Sequence, residues 1–414
     1  MVMMMPNVSV LNVNLYGETI GTLTNVGGDR TLFAFTDAYI NDTNRPTLGL
    51  SFKDEFGTLT TDFRNYQTRV MPFFSNLLPE GHLRKYLAER AAVNPEREFY
   101  LLWALGNDLP GAITITPADG EMWPVDIDED RIRRNDDHHE NALRFSLAGV
   151  QLKFSAITDA AGGLTIPATG AGGSWIVKLP SREYDGVPEN EFSMMKLAAM
   201  MGMNVPAIDL VSLDAIKNVP AGIEQLGKDA FVIERFDRLP GGGRAHIEDF
   251  AQIFGVYAER KYKQASMRNI AQVIAAEGST EDLVEFVRRL TFSMIIGNGD
   301  MHLKNWSLIY PDRRHVSLAP AYDFVSTIPY LPEDGTGLNI SRSKAFTDFN
   351  VDELSHFAVK AAIPKKMVLD TARDTIAAFQ ETWANEAANL PMSRDVRTAI
   401  EGHMTTVPIM DELG

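Results

Sequence analysis

The chain has 414 residues, 45% hydrophobic and 23% charged, with a formal net charge of −16 and no cysteine. That length exceeds one ordinary hydrophobic core, so two or three packed units are expected, and the lack of thiols excludes disulfides, thiolate zinc centres and a cysteine nucleophile. The acidic balance argues against strong nonspecific nucleic-acid binding by this chain alone, so a DNA role would need a basic partner.

At the start, MVMMMP has neither the basic region nor the apolar stretch of a signal peptide, and no later run approaches the roughly 18 apolar residues of a membrane helix. The expected setting is the cytoplasm, with no membrane contact. VSVLNVNLY, TIGTL and TLFAF follow, alternating apolar with polar residues and separated by turns at Gly17 and at Asn25 to Asp29, which predicts a small antiparallel meander. From about Asn65 to Leu105 the texture is helical, with PFFSNLLPEG followed by Leu83, Tyr86 and Leu87 at helix spacing. DIDEDRIRRNDDHHE, residues 126–140, mixes both charge signs and reads as a linker or exposed segment; its His138 and His139 look metal-like locally but sit in a solvated run.

A second strand-rich block, RFSLAGVQLKFSAI and SWIVKLP, is broken by the glycine turns DAAGG and TGAGG. ENEFSMMKLAAMMGM is rich in helix formers and ends at a glycine before NVP, so it reads as one helix. KDAFVIERFDRLPGGGR is a buried strand running into a turn. Helices dominate from about residue 245, and Leu283, Phe286, Val287, Leu290 and Met294 form the stripe of a core-facing helix. That helix leads into GNGDMHLKNW, residues 297–306, after which NWSLIY, the turn PDRR and HVSLAP make a hairpin. The units expected are residues 1–140, 141–240 and 241–414.

Phosphoryl transfer needs an acceptor for the hydroxyl proton, ligands for a phosphate-bridging metal, a cation for the phosphates and a pocket for the base. Asp300 and Asn305 reproduce the five-residue spacing between the general-base Asp and the metal-binding Asn of a protein-kinase catalytic loop. Asp323, in PAYDFVST just past the hairpin, is placed for a second metal carboxylate, and the pair makes a hard-oxygen site suited to Mg²⁺. The plain alternative is a polar, helix-capping turn at 300–305 and an ordinary turn residue at 323. His302 is a general base or, as a lone histidine more often is, an orienting group for the phosphate or the loop.

Lys178 ends the strand WIVK, sharing a face with Ile176 while Val177 and Leu179 share the other; it is a phosphate-binding lysine or an edge-strand lysine. Glu191 could pair with that lysine or simply complement its helix dipole. SLAGVQLK, residues 146–153, offers a turn whose amides could face phosphates, with Gly149 permitting close approach, or it is a plain strand entry. VIERFDR could present the backbone of Glu234 to Phe236 to adenine, or be a buried strand ending at the surface. Turn, strand lysine, helix glutamate, hinge strand, catalytic loop and metal Asp occur in the order a bilobal kinase requires. The fold expected is therefore α+β, bilobal and protein-kinase-like, with an added N-terminal strand-and-helix subdomain and a mainly helical C-terminal lobe.

These motifs, with PFFSNLLPEG, SLAGVQLK, WIVKLP, ENEF, VIERFDR, IEDF, GNGDMHLKN and PAYDFVST spread over residues 8 to 345, resemble those of the HipA serine/threonine kinases, the toxins of bacterial type II toxin–antitoxin pairs. The resemblance implies ATP contact by the turn Ala148, Gly149, Val150, Gln151, Leu152 and Lys153, by Lys178, by the hinge Glu234, Arg235 and Phe236, by His302, Leu303, Lys304 and Asn305, and by Tyr322 and Asp323. It implies Asp300 as the catalytic base, Mg²⁺ on Asn305 and Asp323, and autophosphorylation of Ser146, whose added charge would expel the turn from a phosphate-binding pocket and switch the enzyme off. The implied partners are a helix-turn-helix antitoxin, which alone brings the complex to operator DNA, and a protein substrate such as an aminoacyl-tRNA synthetase. A small-molecule kinase of the aminoglycoside phosphotransferase type would share the Asp, Asn and Asp logic, though not the N-terminal unit. A catalytically silent corepressor is the third reading.

Overall fold

The alternating pattern near the start folds as expected into antiparallel strands Val10–Leu15, Glu18–Asn25 and Arg30–Phe35. Tyr16 and Gly17 turn the first hairpin with φ of 53° and 87°, the two positive values of the tight turn that matches strand twist. The computed structural model describes residues 7–119, 152–158, 163–167, 172–220, 222–332 and 335–414. It is a mixed α+β architecture in two units, one formed by Met1–Asp185, Val211–Ala258 and Tyr310–Arg314, the other by Gly186–Leu210, Glu259–Ile309 and His315–Gly414. The linker read at residues 126–140 lies outside the described residues. Among those described, no helix is long and apolar enough to cross a membrane.

In the first unit the meander gains two strands, Tyr66–Gln67 beside Arg30–Phe35 and Ile113–Pro117 beside Val10–Leu15. Its buried face meets an aromatic cluster in which Phe33 lies within 6 Å, centroid to centroid, of Phe35, Phe52, Phe63 and Phe74. Phe73 and Phe74 come from the short helix Pro72–Ser75, started by its proline, which fixes φ at a position where no N–H is needed. Ser75 and Asn76 of PFFSNLLPEG serve polar satisfaction. Fully buried Glu98 accepts from Ser75 Oγ at 2.8 Å, Val70 N–H at 3.0 Å and Arg84 Nη1 at 3.0 Å, and Asn76 Nδ2 donates to Val256 O at 2.7 Å.

Five neighbouring strands of a second sheet lie wholly in this unit, in the order Ile216–Lys217, Leu164–Thr165, Lys153–Thr158, Trp175–Lys178, Asp229–Glu234. One face carries Leu152, Phe154, Ala156, Val177, Ala230 and Val232 into a core, against which Leu83 and Tyr86 of the helix Gly81–Arg90 pack. Two arginines and two aspartates, Arg235, Arg238, Asp108 and Asp237, form a buried ion network at the end of the sheet, with contacts of 2.8–3.1 Å. Burial alone would raise the pKa of Asp108, but Arg235, Arg238 and the Gly172 amide outweigh it and bring it to about 2.

A third buried cluster joins three stretches distant in sequence. The Glu248 carboxylate accepts from Leu50 N–H at 3.0 Å and from the Tyr310 hydroxyl, while His246 stacks on Tyr310 and contacts Leu48 O at 2.7 Å. Burial pushes Glu248 up to about 8 against those hydrogen bonds, and it holds His246 down to about 4. A raised carboxyl favours the fold while protonated, so the Glu248 contribution is complete below the ordinary carboxyl range and is lost as pH rises towards 8. Glu248→Gln should therefore melt above the parent at pH 8 to 9, with the gain shrinking towards pH 5; His246 is common to both proteins and cancels. Melting curves across that range check it, and an offset independent of pH would contradict it.

The second unit is mainly helical, with a two-strand hairpin. Helix Thr280–Ile295 opens on a reciprocal cap, Ser279 Oγ accepting from Asp282 N–H at 3.1 Å and Asp282 from Ser279 N–H at 2.9 Å. It buries Leu283, Phe286, Val287, Leu290 and Met294, as their spacing predicts, each contributing about 1.5–3 kcal/mol. The hairpin pairs Leu308 with Leu318 and Ile309 with Ser317.

Candidate active site

The predicted site residues fall into one set in each unit. Leu152, Lys153, Lys178, Glu234, Arg235 and Phe236 belong to the first, and Glu191, Asp300, His302, Leu303, Lys304, Asn305, Tyr322 and Asp323 to the second. Ser146 and the turn residues Ala148, Gly149, Val150 and Gln151 lie outside the described residues.

In the first unit Lys153 and Lys178 are direct partners on neighbouring antiparallel strands, and Phe231 is the partner of Lys178 on the other side. Partners across a sheet project to the same face, so both lysines lie opposite the apolar core that takes Phe154 and Val177. Lys178 is only 7% exposed, with Nζ 5.6 Å from the Phe231 ring centroid. In the hinge the Arg235 amide donates to Ser174 O at 2.7 Å and its side chain is the centre of the ion network, so Arg235 serves the sheet on both counts. The sequence motif shows the strand but not this structural role. A cavity of about 670 Å³ opens beside Glu234, lined also by Asp108, Arg238 and Gly241 to Arg244; Lys178 does not border it, so it is not where the predicted phosphate ligands gather.

In the second unit, GNGDMHLKN forms a tight loop closed by its own side chains. The Asp300 carboxylate is 47% exposed, and Tyr262 Oη donates to its Oδ1 at 2.5 Å. Asn305 Nδ2 donates to Asp300 O at 2.7 Å, which leaves the carboxamide oxygen facing away from that bond. His302, 5% exposed, accepts the Lys304 N–H on Nδ1 at 3.2 Å and meets the Tyr262 ring edge-on at 5.0 Å. With Nδ1 an acceptor, a neutral ring carries its proton on Nε2, 3.9 Å from Asp300 Oδ1. The histidine thus supports the loop. Leu303 is wholly buried, main chain included.

Two residues of the helix that enters the loop hold the strand that leaves the hairpin. Asp282 Oδ1 accepts from Ser317 Oγ and Leu318 N–H, both at 2.7 Å, and Arg289, 3% exposed, donates to Ala319 O at 2.7 Å. They fix the approach to Asp323, whose φ of 58° is a left-handed conformation that Asp tolerates better than most residues. Glu191 is 2% exposed on helix Val187–Met200, and its neighbour Asn190 exchanges hydrogen bonds with the Ser326 backbone at 2.8 and 3.2 Å. Tyr262 escapes sequence reading because ERKYKQ offers no spacing signal.

A carboxamide oxygen and a carboxylate are the hard donors that Mg²⁺ takes alongside substrate phosphates. Among the described residues no group of three or more His, Asp or Glu side chains is arranged to hold a metal, so such an ion would draw much of its shell from phosphate and water.

Residues 145–383 match the family model of the HipA-like C-terminal domain, and residues 11–116 that of the HipA N-terminal domain. The chain is 57% identical over 411 residues to Y4dM of Sinorhizobium fredii, covering 99% of each. It is 27% identical over 347 residues to the serine/threonine-protein kinase toxin HipA of Shewanella oneidensis, covering 73% of this chain and 72% of that one. A HipA structure from the same organism, solved with HipB and operator DNA, shares the fold with a TM-score of 0.73 at 22% identity, over 97% of this chain and 99% of the other. The C-terminal match reaches well beyond residue 345, where the sequence motifs stop.

Proposed function

Because the chain belongs to the HipA kinase family, we propose that it transfers the γ-phosphoryl group of ATP to a serine or threonine hydroxyl of a protein. The observation that carries this reading is the Asp300 carboxylate, accessible to solvent, held through one oxygen by Tyr262 and bound through its backbone to Asn305. The substrate hydroxyl donates to Oδ2 and gives up its proton there as its oxygen attacks the γ-phosphorus in line with the departing ADP. Lys178, with Lys153 beside it, neutralises the phosphates, and Glu234 and Phe236 offer backbone groups to adenine, with Tyr322 at the nucleotide. Asn305 and Asp323 would hold Mg²⁺, which when bound spreads the charge of the phosphate oxygens. The remaining positions in this proposal are those of the family: Ser146 as the autophosphorylated, inactivating serine, Glu191 as partner of Lys178, a HipB-like helix-turn-helix antitoxin as the neutralising partner, and an aminoacyl-tRNA synthetase as a substrate.

Labelled ATP incubated with the protein and a whole-cell extract tests the reading. Label on a protein band, together with phosphate on Ser146 by mass spectrometry, is expected. Label confined to small molecules would overturn it in favour of a small-molecule kinase.

A further inference from the structure

The phosphoryl-transfer reading gives no role to two polar side chains at its centre, Asn298 and Thr327. Asn298 is 2% exposed, and its Oδ1 accepts the Asp300 N–H at 3.0 Å while its Nδ2 donates to Asp323 O at 3.4 Å. Thr327 works beside it on the same two segments. Its Oγ1 accepts the Gly299 N–H at 2.8 Å and donates to Gly297 O at 3.2 Å, and its own N–H donates to Gly297 O at 3.0 Å. Gly297 has a φ of 65°, and a Cβ there would come within 2.6 Å of Ile328. The loop that carries Asp300 and the segment that carries Asp323 therefore lie against each other with no room for a side chain at Gly297, joined by the Asn298 carboxamide, the Thr327 hydroxyl and backbone bonds from Thr327 and Ile328 to Gly297 O.

We infer that Asn298 and Thr327 are positioning residues that fix the metal carboxylate of Asp323 relative to the catalytic loop and so set the affinity of the site for Mg²⁺. The inference rests on the phosphoryl-transfer reading. The physical reason is that Asp323 sits on a left-handed backbone, a conformation kept only when its surroundings dictate it. Asn298 grips the main chain on which that carboxylate turns, and Thr327 anchors the same segment four residues on. Hydrogen bonds that orient metal ligands are worth about 10- to 100-fold in metal affinity.

The test uses the full chain with a non-hydrolysable ATP analogue and follows the rise in melting temperature as Mg²⁺ is added, a readout independent of turnover. Asn298→Ala and Thr327→Val should each raise the Mg²⁺ concentration of the half-maximal rise about 10-fold or more. Thr327→Ser, which keeps the hydroxyl, should return it to within about twofold of the parent. The Val and Ser pair decides the matter even where Asn298→Ala fails to fold. Unchanged Mg²⁺ midpoints with a lower melting temperature of the free protein would overturn the inference, leaving a purely structural role. A parent protein whose melting temperature does not respond to Mg²⁺ and nucleotide at all would instead overturn the phosphoryl-transfer reading, and this inference with it.

Discussion

Asp300→Asn is expected to slow protein phosphorylation by roughly 10²- to 10⁴-fold, the usual worth of a general base, with little change in the apparent affinity for ATP. The substitution keeps size and shape, and Tyr262 can still donate to the retained Oδ1, so the contact at 2.5 Å is not sacrificed. Nearly half the side chain faces solvent, so no core is disturbed and the melting temperature should stay within a degree or two. What is removed is the basic oxygen that takes the hydroxyl proton. Initial rates against a labelled protein substrate, with parent and variant at equal folded concentration, measure this directly; a variant at the parental rate would show that another group accepts the proton.

Asp323→Asn is expected to cost on the order of 10²-fold or more in rate, since metal stabilisation of transition-state charge is worth several kcal/mol. Here the loss should be partly recovered by raising Mg²⁺, which Asp300→Asn should not show. Asparagine tolerates the left-handed backbone as readily as aspartate, so the 58° φ at this position adds no new strain and the change isolates the charge. Rates measured over a Mg²⁺ series separate the two variants, and an identical Mg²⁺ dependence in parent and Asp323→Asn would contradict a metal role for that carboxylate.

Local chemistry explains which parts of the molecule could be read in advance. The meander, the stripe from Leu283 to Met294, the hairpin after the loop and the opposite faces of WIVK all follow from residue spacing, because each face is decided within a few residues of itself. Strand Ile113–Pro117 joins the first sheet beside Val10–Leu15 across about a hundred residues; its five-residue alternation gives no hint of that partner. The motifs likewise pointed to polar residues without their partners. Arg235 was read as a hinge residue, yet its guanidinium is bound to Asp108, 127 positions away, and such pairings exist only after folding. Tyr262 illustrates the same limit, its hydroxyl meeting Asp300 from a segment whose own sequence shows no sign of it; Thr327 lies inside PAYDFVST, but its spacing does not show that its hydroxyl reaches Gly299. By contrast, Asn305 and Asp300 were legible as a pair from their five-position spacing, close enough for one hydrogen bond to join them within a single loop.

The most direct measurement is a crystal structure of the protein with Mg²⁺ and a non-hydrolysable ATP analogue. An ion is expected about 2.0–2.1 Å from Asn305 Oδ1 and from an Asp323 carboxylate oxygen, completed by phosphate oxygens, with Asp300 Oδ2 facing the γ-phosphate. Nucleotide bound with its phosphates remote from these side chains, or an ion that neither Asn305 nor Asp323 touches, would contradict it.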